Sequence, residues 1–318
     1  MTGFILRRVL WMIPVLWAAA TLAWISMFLI PGDPAAVMAG PRADPEVLAA
    51  ARAEWGLDRP PVVQYARYLG KLARLDLGTS YVQRRPVSQI IAEGMVHTFF
   101  LAASATLMGI CGGMLMGTLS AAWRGTAVDS ATRALTAASV SLPTFWVGLM
   151  LMLVFSSRLG WLPVLGYGEG PVVLGVSLPG PLHLVLPSVT LALGLSGYLA
   201  RVTRASLIEE SSQEYALAAR ARGASRGAAL GRHALANSLL PIVTLTGLSF
   251  GHLLGGAIVT ETVFAWPGVG AVMLRALDGR DLPVVEGGAI TLTAAFLLVN
   301  LLVDLSYAWL DPRTRDPG

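Results

Sequence analysis

Residue types that could perform chemistry are few in this 318-residue sequence, and their spacing excludes most kinds of active site. The four histidines are dispersed, and the only cysteine, Cys111, has no second thiol for a disulfide or a zinc framework. The only lysine, Lys71, follows Gly70 without a hydroxyl residue behind it, so the chain lacks a G-x-x-x-x-G-K-[ST] phosphate-binding loop. H-E-x-x-H is also absent, and the two G-x-S-x-G matches, 223–227 and 247–251, lie in a polar loop and in an apolar run rather than after a strand, so neither predicts a nucleophile elbow. We therefore expect no catalytic residue and no metal site in this chain.

Ionisable residues inside apolar runs are the remaining candidates, because an ion-coupled secondary transporter needs them near the membrane midplane. Only His252, Glu261 and Asp304 qualify, and they form no chain of acids. A secondary transporter therefore stays an alternative rather than the favoured interpretation. We expect Asp304 to be paired or hydrogen-bonded, as a structural latch, because an unpaired carboxylate at that depth is costly.

These residues belong to a chain whose composition is that of a membrane protein. Hydrophobic residues make up 55% of the chain and charged residues only 13%, with a mean hydropathy of +0.64. Soluble domains carry roughly 25% charged residues, and disordered chains combine low hydrophobicity with high net charge. The net charge of +4 comes from arginines at the ends of apolar runs, which indicates topology signals rather than a nucleic-acid surface.

Six windows free of Asp, Glu, Lys and Arg predict six transmembrane helices. They are 9–32, 94–123, 134–157, 170–200, 233–260 and 287–303, the last extended through Asp304 to Trp309. The first window would be about 36 Å long as a helix, enough to cross a hydrocarbon core of roughly 30 Å. It exceeds the apolar core of a cleaved signal peptide, so we expect a retained span.

The arginine distribution predicts the orientation of these spans. An even number of spans puts both termini on one side, and twelve arginines lie on that side. The short opposite loops contain only Arg158, Arg275 and Arg280. Under the positive-inside rule both termini are therefore predicted to be cytoplasmic.

The sequence divides into three parts: the N-terminus and first span (1–32), an extracytoplasmic insert (33–93) and a five-span core (94–318). The insert has helix punctuation of its own, since Asp44 precedes Pro45 and Gly56 follows the helix-forming run. A second amphipathic helix is expected after Pro60, with one face formed by Val62, Tyr65, Leu69 and Leu72. The insert either caps the spans or docks an external partner, and both roles are compatible.

A second long loop, 201–236, is predicted to be cytoplasmic and to contain two short helices. Ala216 to Arg222 are good helix formers, Gly223 interrupts them, and Ser225 is placed to cap a second helix toward His233. Acidic residues precede this segment and arginines follow it, which suits a protein-facing helix. A solvated basic loop that only fixes topology is the simpler alternative, and Gly223 would then be an ordinary helix C-cap.

This loop resembles the coupling loop of permease subunits of ATP-binding-cassette importers, which has two alanines, three further residues and a glycine. The matching residues are Ala218, Ala219 and Gly223, while Leu217 stands where the family usually has glutamate. Further blocks in family order look like the dipeptide/oligopeptide/nickel permease family. They are Pro31–Pro34, Gly56–Asp58 with Gln64-Tyr65, Leu77–Ser80, Ser141–Trp146, Trp161–Pro163, Arg232–Leu235 with Asn237, Phe264–Gly270, Arg280-Asp281, and Asn300 with Asp304 and Asp311–Arg313.

The resemblance covers nearly the whole chain and implies an all-α membrane protein with the type I ABC importer permease fold, in a bacterial cytoplasmic (inner) membrane. It implies as partners a second homologous permease subunit, two ABC ATPase subunits that bind ATP and Mg, and an extracytoplasmic binding protein. No cofactor is expected in this chain and no nucleic acid is expected as a partner. The ATPase-coupling loop residues are Glu214, Tyr215, Ala218, Ala219, Arg222 and Gly223.

Polar side chains at mid-span are the candidates for the translocation path, because lipid would penalise their exposure. They are Ser141, Thr144, Ser249 and His252. Glycines such as Gly112, Gly113, Gly117, Gly194 and Gly197 are expected mainly to allow close helix packing. The expected cargo is a short peptide or a similar small zwitterion, since a bare metal ion would favour clustered imidazole or thiolate ligands. A nickel-chelate importer permease of the same family remains open, because a chelate needs no such ligands.

Overall fold

The computed structural model describes residues 2–29, 35, 44–55, 58–173, 176–222 and 235–310. The helices are α1 (Thr2–Leu29), α2 (Pro45–Trp55), α3 (Pro61–Leu72), α4 (Val87–Ala122), α5 (Ala127–Ser141), α6 (Thr144–Leu151), α7 (Pro181–Ser211), α8 (Glu214–Ala221), α9 (Leu235–Gly256), α10 (Ile258–Val263), α11 (Val269–Asp278) and α12 (Leu282–Leu310). A π-helix, Met152–Arg158, continues α6, and strands β1 (Glu169–Val173) and β2 (Val176–Pro179) form an antiparallel hairpin. The predicted all-α class is confirmed, with this hairpin as a small addition.

Each of the six predicted windows contains a helix, but the helices differ in length. Among the described residues, four apolar helices are long enough to cross a membrane: Ile5–Ser26 within α1, α4, α7, and Leu282–Ser306 within α12. The bent pair Ala127–Ser141 and Thr144–Arg158 makes a fifth if it is counted as one span. With 36 residues α4 is about 54 Å long, so it extends well beyond a hydrocarbon core of roughly 30 Å. The apolar part of α9, Pro241–Gly255, is shorter.

The third window is not one straight span, which corrects the expectation for 134–157. Its helix begins earlier, at Ala127, and α5 meets α6 at a bend of 106°. The cause is Pro143, because a residue before proline is disfavoured in the α region and proline donates no hydrogen bond. Leu142 accordingly has φ −78° and ψ 136°, an extended conformation.

The fourth window is also corrected, because its first part forms the hairpin rather than a helix. The register pairs Glu169 with Pro179 and Val173 with Val176. The valines of this segment favour strands, and α7 begins only at Pro181, a proline at the first helical turn. Continuous apolar character did not distinguish a hairpin from a helix here.

In the insert, both predicted helices are present. The backbone N–H of Leu48 donates to the carbonyl of Asp44 at 3.1 Å, so α2 begins where the sequence predicts. In α3 the predicted apolar face is wrong at one end, since Val62 is 78% exposed, whereas Leu69 and Leu72 are half-buried. Tyr65 anchors this helix through its hydroxyl, which is 2.6 Å from that of Thr21, and through its ring, which packs on Trp24.

The helices form two compact units, residues 1–98 with 267–297, and residues 99–266 with 298–318. The first unit has an apolar core that includes Val87, Ile91 and Val284. In the second unit, Trp266 is fully buried among Leu101, Leu191 and other apolar side chains, and α7 is packed by α5, α6 and α9. A helix with several packed neighbours is well placed to carry a displacement along its length.

Candidate functional site

The segment predicted to contact an ATPase leaves α7 through a two-residue turn and forms α8. The backbone N–H of Ser212 donates to the carbonyl of Glu209 at 3.0 Å, and that of Gln213 donates to the carbonyl of Glu210 at 3.3 Å. The Tyr215 hydroxyl donates to the Glu210 carboxylate. These bonds leave little free chain between the two helices, so α8 is attached to the end of α7 rather than suspended from a loose linker.

The exposed surface of α8 carries most of the residues that the sequence assigns to coupling. The exposed ones are Glu214, Tyr215, Ala218 and Arg222. Tyr215, Ala218 and Arg222 follow one another at spacings of three and four, so they share one helix face. The side chain of Ala219, all of Gly223 and the second helix expected after Ser225 lie outside the described residues. The helix expected over Ala216–Arg222 is confirmed up to Ala221.

A buried aspartate near the start of α5 was missed by sequence reasoning. Asp129 is only 2% exposed and accepts both Nε and Nη2 of Arg204, each at 3.0 Å, in a two-pronged pair. Ser120 Oγ donates to the same carboxylate at 2.5 Å, and the Gly125 backbone N–H at 3.0 Å. We call these four residues the Asp129 clasp. The exposed Arg133 is a looser neighbour, with Nε 3.5 Å from Oδ1 of the carboxylate.

The Asp129 clasp joins three helices. Ser120 lies at the end of α4, Asp129 in the first turn of α5, and Arg204 two turns before the end of α7. The turn between α4 and α5 contains Gly125 at φ +81°, a conformation that favours glycine. The sequence signal was the pair Asp129 and Arg133, four residues apart. Arg133 was counted among the cytoplasmic arginines and Asp129 was assigned no role, so the pair was not recognised.

Close contact between α4 and α7 extends this connection along the helices. A Cβ atom on Gly113 would lie 2.6 Å from Leu199 Cβ, and one on Gly117 would lie 2.6 Å from Thr203 Cβ. Gly197 approaches α5 as closely, since its Cβ would be 2.8 Å from the carbonyl oxygen of Thr136. These glycines match the packing role expected from the sequence. Gly194 does not, because nothing lies within 4 Å of a Cβ there.

The four predicted path residues lie on two separate elements. Ser141 and Thr144 flank the bend between α5 and α6, and both are exposed. The Ser141 hydroxyl donates to the Ala137 carbonyl at 2.9 Å, so its hydrogen-bonding capacity is partly used within α5. Ser249 is half-buried and His252 exposed, three residues apart on α9. The bend and α9 both pack on α7.

A pocket of about 450 Å³ lies beside α9, and none of the predicted path residues lines it. Its walls come from α4, α9 and α12, and include Thr106, Thr246, Phe250 and Val303. The hydroxyls of Thr106 and Thr246 are buried without a hydrogen-bond partner among the described residues. The pocket is otherwise apolar, so its chemistry is that of a site for hydrocarbon rather than for charge.

A second buried aspartate lies in the first unit, where it brings together two of the sequence blocks. The Asp281 carboxylate accepts the Ser80 hydroxyl and the backbone N–H groups of Tyr81 and Val82, the latter two at 2.9 and 3.4 Å. We call these four residues the Asp281 clasp. Asp281 directly precedes α12, whose dipole favours a negative charge there. Burial raises the pKa of the Tyr81 phenol, and the Glu286 and Asp281 carboxylates raise it further, so Tyr81 stays protonated.

The remaining predicted residue, Asp304, is half-buried on α12 and does not lack interactions. Across the described parts of the chain, no three His, Cys, Asp or Glu side chains are grouped so that they could hold a metal ion. In the part of the chain that the structure describes, the features that stand out are the buried ion pair of Asp129 and Arg204, the close helix contacts and the exposed helix α8.

Comparison with known proteins gives two family matches that together cover almost the whole sequence. Residues 1–102 match the N-terminal part of binding-protein-dependent transport system membrane components. Residues 109–316 match the binding-protein-dependent transport system inner membrane component family.

Curated relatives align over their full length. The glutathione transport system permease protein GsiC of Salmonella paratyphi A is 39% identical over 315 residues, which is 99% of each chain. A putative peptide transport system permease protein of Brucella abortus is 41% identical over 315 residues, with the same coverage.

Solved structures share the fold at low sequence identity. An inward-facing structure of the MetNI methionine ABC transporter matches with a TM-score of 0.57 and 17% identity, over 70% of this chain and 97% of that chain. An amino acid ABC transporter crystallised with histidines matches with a TM-score of 0.53 and 14% identity, over 69% and 92%. The helices described above are therefore arranged as in known importer permeases.

Proposed function

Because the chain belongs to the binding-protein-dependent transport system inner membrane component family of multi-pass permeases, we propose that it forms one half of the path of an ATP-driven peptide importer. The other half is a second, homologous permease subunit. Two ABC ATPase subunits bind and hydrolyse ATP with Mg, and an extracytoplasmic binding protein delivers the cargo. The observation that carries this proposal is the projecting helix α8, attached firmly to α7 and exposed on the face that bears Tyr215, Ala218 and Arg222.

In this proposal α8 lies in a cleft of an ATPase subunit. Both termini and the 201–236 loop are then cytoplasmic, as the arginine distribution indicates, and the 33–93 insert faces outward. ATP binding draws the ATPase subunits together and displaces α8. Only a partner with different affinity for two arrangements of the permease produces such a change.

On the membrane side, the displacement acts on the elements packed against α7. These are the bend at Leu142 and Pro143, with Ser141 and Thr144 beside it, and α9 with Ser249 and His252. We assign these four polar side chains to the path wall, and Asp304 to a structural latch in α12. A bent pair of short helices is a suitable gate, because a rotation at one extended residue moves a whole helix.

The contact between α8 and the ATPase subunit is tested by two variants. Ala219→Trp and Gly223→Pro should leave the subunit in the membrane and in the assembled importer, but separate ATP hydrolysis from uptake. The matched control is Ala134→Trp on exposed α5, outside the proposed contact. Wild-type uptake and substrate-stimulated ATP hydrolysis in both the Ala219→Trp and the Gly223→Pro variant would contradict the coupling role.

We further propose a short peptide of about the size of glutathione as cargo, since relatives with near-complete coverage carry out glutathione or putative peptide transport. Titration of the cognate binding protein with glutathione, a dipeptide series and a nickel–histidine chelate tests this. Tight capture of a peptide is the expected result. Capture of the nickel chelate with no affinity for any peptide would overturn the cargo and favour the nickel alternative, leaving the importer assignment intact.

A further inference from the structure

The Asp129 clasp lies between the proposed ATPase contact and the proposed gate. Arg204 is ten residues before the first residue of α8, which corresponds to about 15 Å along a helix axis. On its other side, α5 runs from Asp129 to the bend at Pro143. A displacement that enters at α8 therefore reaches the clasp before it reaches the bend.

The chemistry of the clasp suits the transmission of force. Arg204 holds both carboxylate oxygens through a planar fork, which fixes the angle as well as the distance between α5 and α7. Ser120 and the Gly125 backbone hold the same two oxygens from the other side, so the carboxylate cannot rotate without losing a bond. The end of α4, the turn and the start of α5 are thus fixed to α7 as one body.

Close packing alone does not supply this connection at the clasp. The glycine contacts set how closely the helices approach, but the dispersion attraction there is non-directional, so it resists separation and sliding less specifically than a two-pronged ion pair. An ion pair with a fixed geometry resists both. If a small displacement of α8 is to move the bend at Pro143, a rigid link of this kind must connect the two.

We propose that the Asp129 clasp couples α5 to α7, so that displacement of α8 by the ATPase subunits moves the bend at Pro143 as part of the same body. This inference rests on the proposed function, because it requires an ATPase subunit to displace α8. Asp129 and Arg204 are positioning residues: they touch no substrate, and they act through the helices that they join.

The test uses the complete importer with its permease partner and ATPase subunits, in a Cys111→Ser background. Spin labels are attached at Ala134→Cys on α5 and at Ser212→Cys after α7, both exposed positions. Their separation is measured without nucleotide and after trapping with ATP and vanadate. With an intact clasp, the distribution should be narrow and the same in both states, because both labels move together.

Arg204→Lys keeps the charge but removes the fork, so the distribution should broaden and shift by several ångström between states, while ATP hydrolysis continues. Arg133→Lys, which changes the looser and exposed neighbour of the same carboxylate, is the matched control and should behave as wild type. If Arg204→Lys fails to assemble, Asp129→Asn is measured in its place.

A narrow, state-independent distribution in the clasp variant would overturn the proposal, because α5 would then follow α7 without the ion pair. Equal broadening in Arg133→Lys would also overturn it, because the effect would not be specific to the fork. An importer of the wild-type chain that traps no nucleotide would overturn the proposed function along with the clasp. That failure is distinguishable, because it is seen before any clasp variant is measured.

Discussion

The two buried aspartates of this protein are held by different kinds of donor. In the Asp281 clasp every donor is neutral: one hydroxyl and two backbone N–H groups. In the Asp129 clasp the main donor is the guanidinium of Arg204, which is itself 24% exposed. The Asp281 carboxylate holds the main chain at Tyr81 and Val82 against the start of α12, whereas the Asp129 carboxylate joins α5 to α7 through a long side chain. We infer that the first clasp is a fixed scaffold and the second a mechanical link.

Removal of the Asp281 carboxylate should have the largest effect on stability. Asp281→Ala leaves the buried Ser80 hydroxyl and two backbone N–H groups without their acceptor, which we expect to cost about 3 kcal/mol of unfolding free energy. Thermal unfolding of the detergent-solubilised subunit measures it. The control is Asp278→Ala, an exposed acid three residues earlier, expected within about 0.5 kcal/mol of wild type. Equal losses in the two variants would show that Asp281 is not a scaffold.

Pushing α4 and α7 apart should destabilise the protein less than the loss of the Asp281 carboxylate. It should disturb the Asp129 clasp and leave the Asp281 clasp intact. Gly117→Ala places a Cβ 2.7 Å from the Ala200 carbonyl oxygen and 2.6 Å from Thr203 Cβ, next to Arg204. We expect a loss of about 2 kcal/mol from overpacking, and lower uptake because the helices carrying Ser120 and Arg204 move apart. Gly194→Ala, where the space is open, is the control and should be neutral or slightly stabilising. Similar losses at both glycines would disprove the close contact.

The smallest effect is expected at the third carboxylate, Asp304. As a latch it should tolerate Asp304→Asn with a small loss of stability, and uptake should fall only as far as assembly does. Uptake and the amount of assembled importer are measured on the same preparations. If assembly were normal and transport alone were lost, Asp304 would belong to the path. The carboxylates would then have a third role, beside the scaffold of the Asp281 clasp and the link of the Asp129 clasp.

The sequence predicted the helical architecture because apolar windows report directly on burial in lipid. It did not predict the Asp281 clasp: Leu77–Ser80 and Arg280-Asp281 entered only as separate blocks of the family resemblance, and a pairing across 200 residues depends on tertiary structure. The bend at Pro143 follows from local chemistry, since proline disfavours a helix before it, but the window 134–157 was predicted as one span because it contains no charged residue. The hairpin over 169–179 was missed because apolar β-branched runs suit either a strand or a span.

The Asp129 clasp was missed for a different reason. Arg204 was counted with the cytoplasmic arginines as a topology signal, and Asp129, which lies between the windows 94–123 and 134–157, was assigned no role. Treatment as a surface charge suits an exposed residue such as Arg133. It fails for Asp129, which is buried because the turn at Gly125 brings α5 back against α7. The sequence alone does not show that packing.

Reconstituted uptake tests the central claim, that this chain is a permease moved by partner ATPases, most directly. Proteoliposomes containing the complete importer, with ATP enclosed on the α8 side and binding protein on the other, should accumulate labelled glutathione. Uptake should stop when ATP, the ATPase subunits or the binding protein is left out. Accumulation of the same solute by this chain alone, driven by an ion gradient and independent of ATP, would contradict the account and favour a secondary transporter.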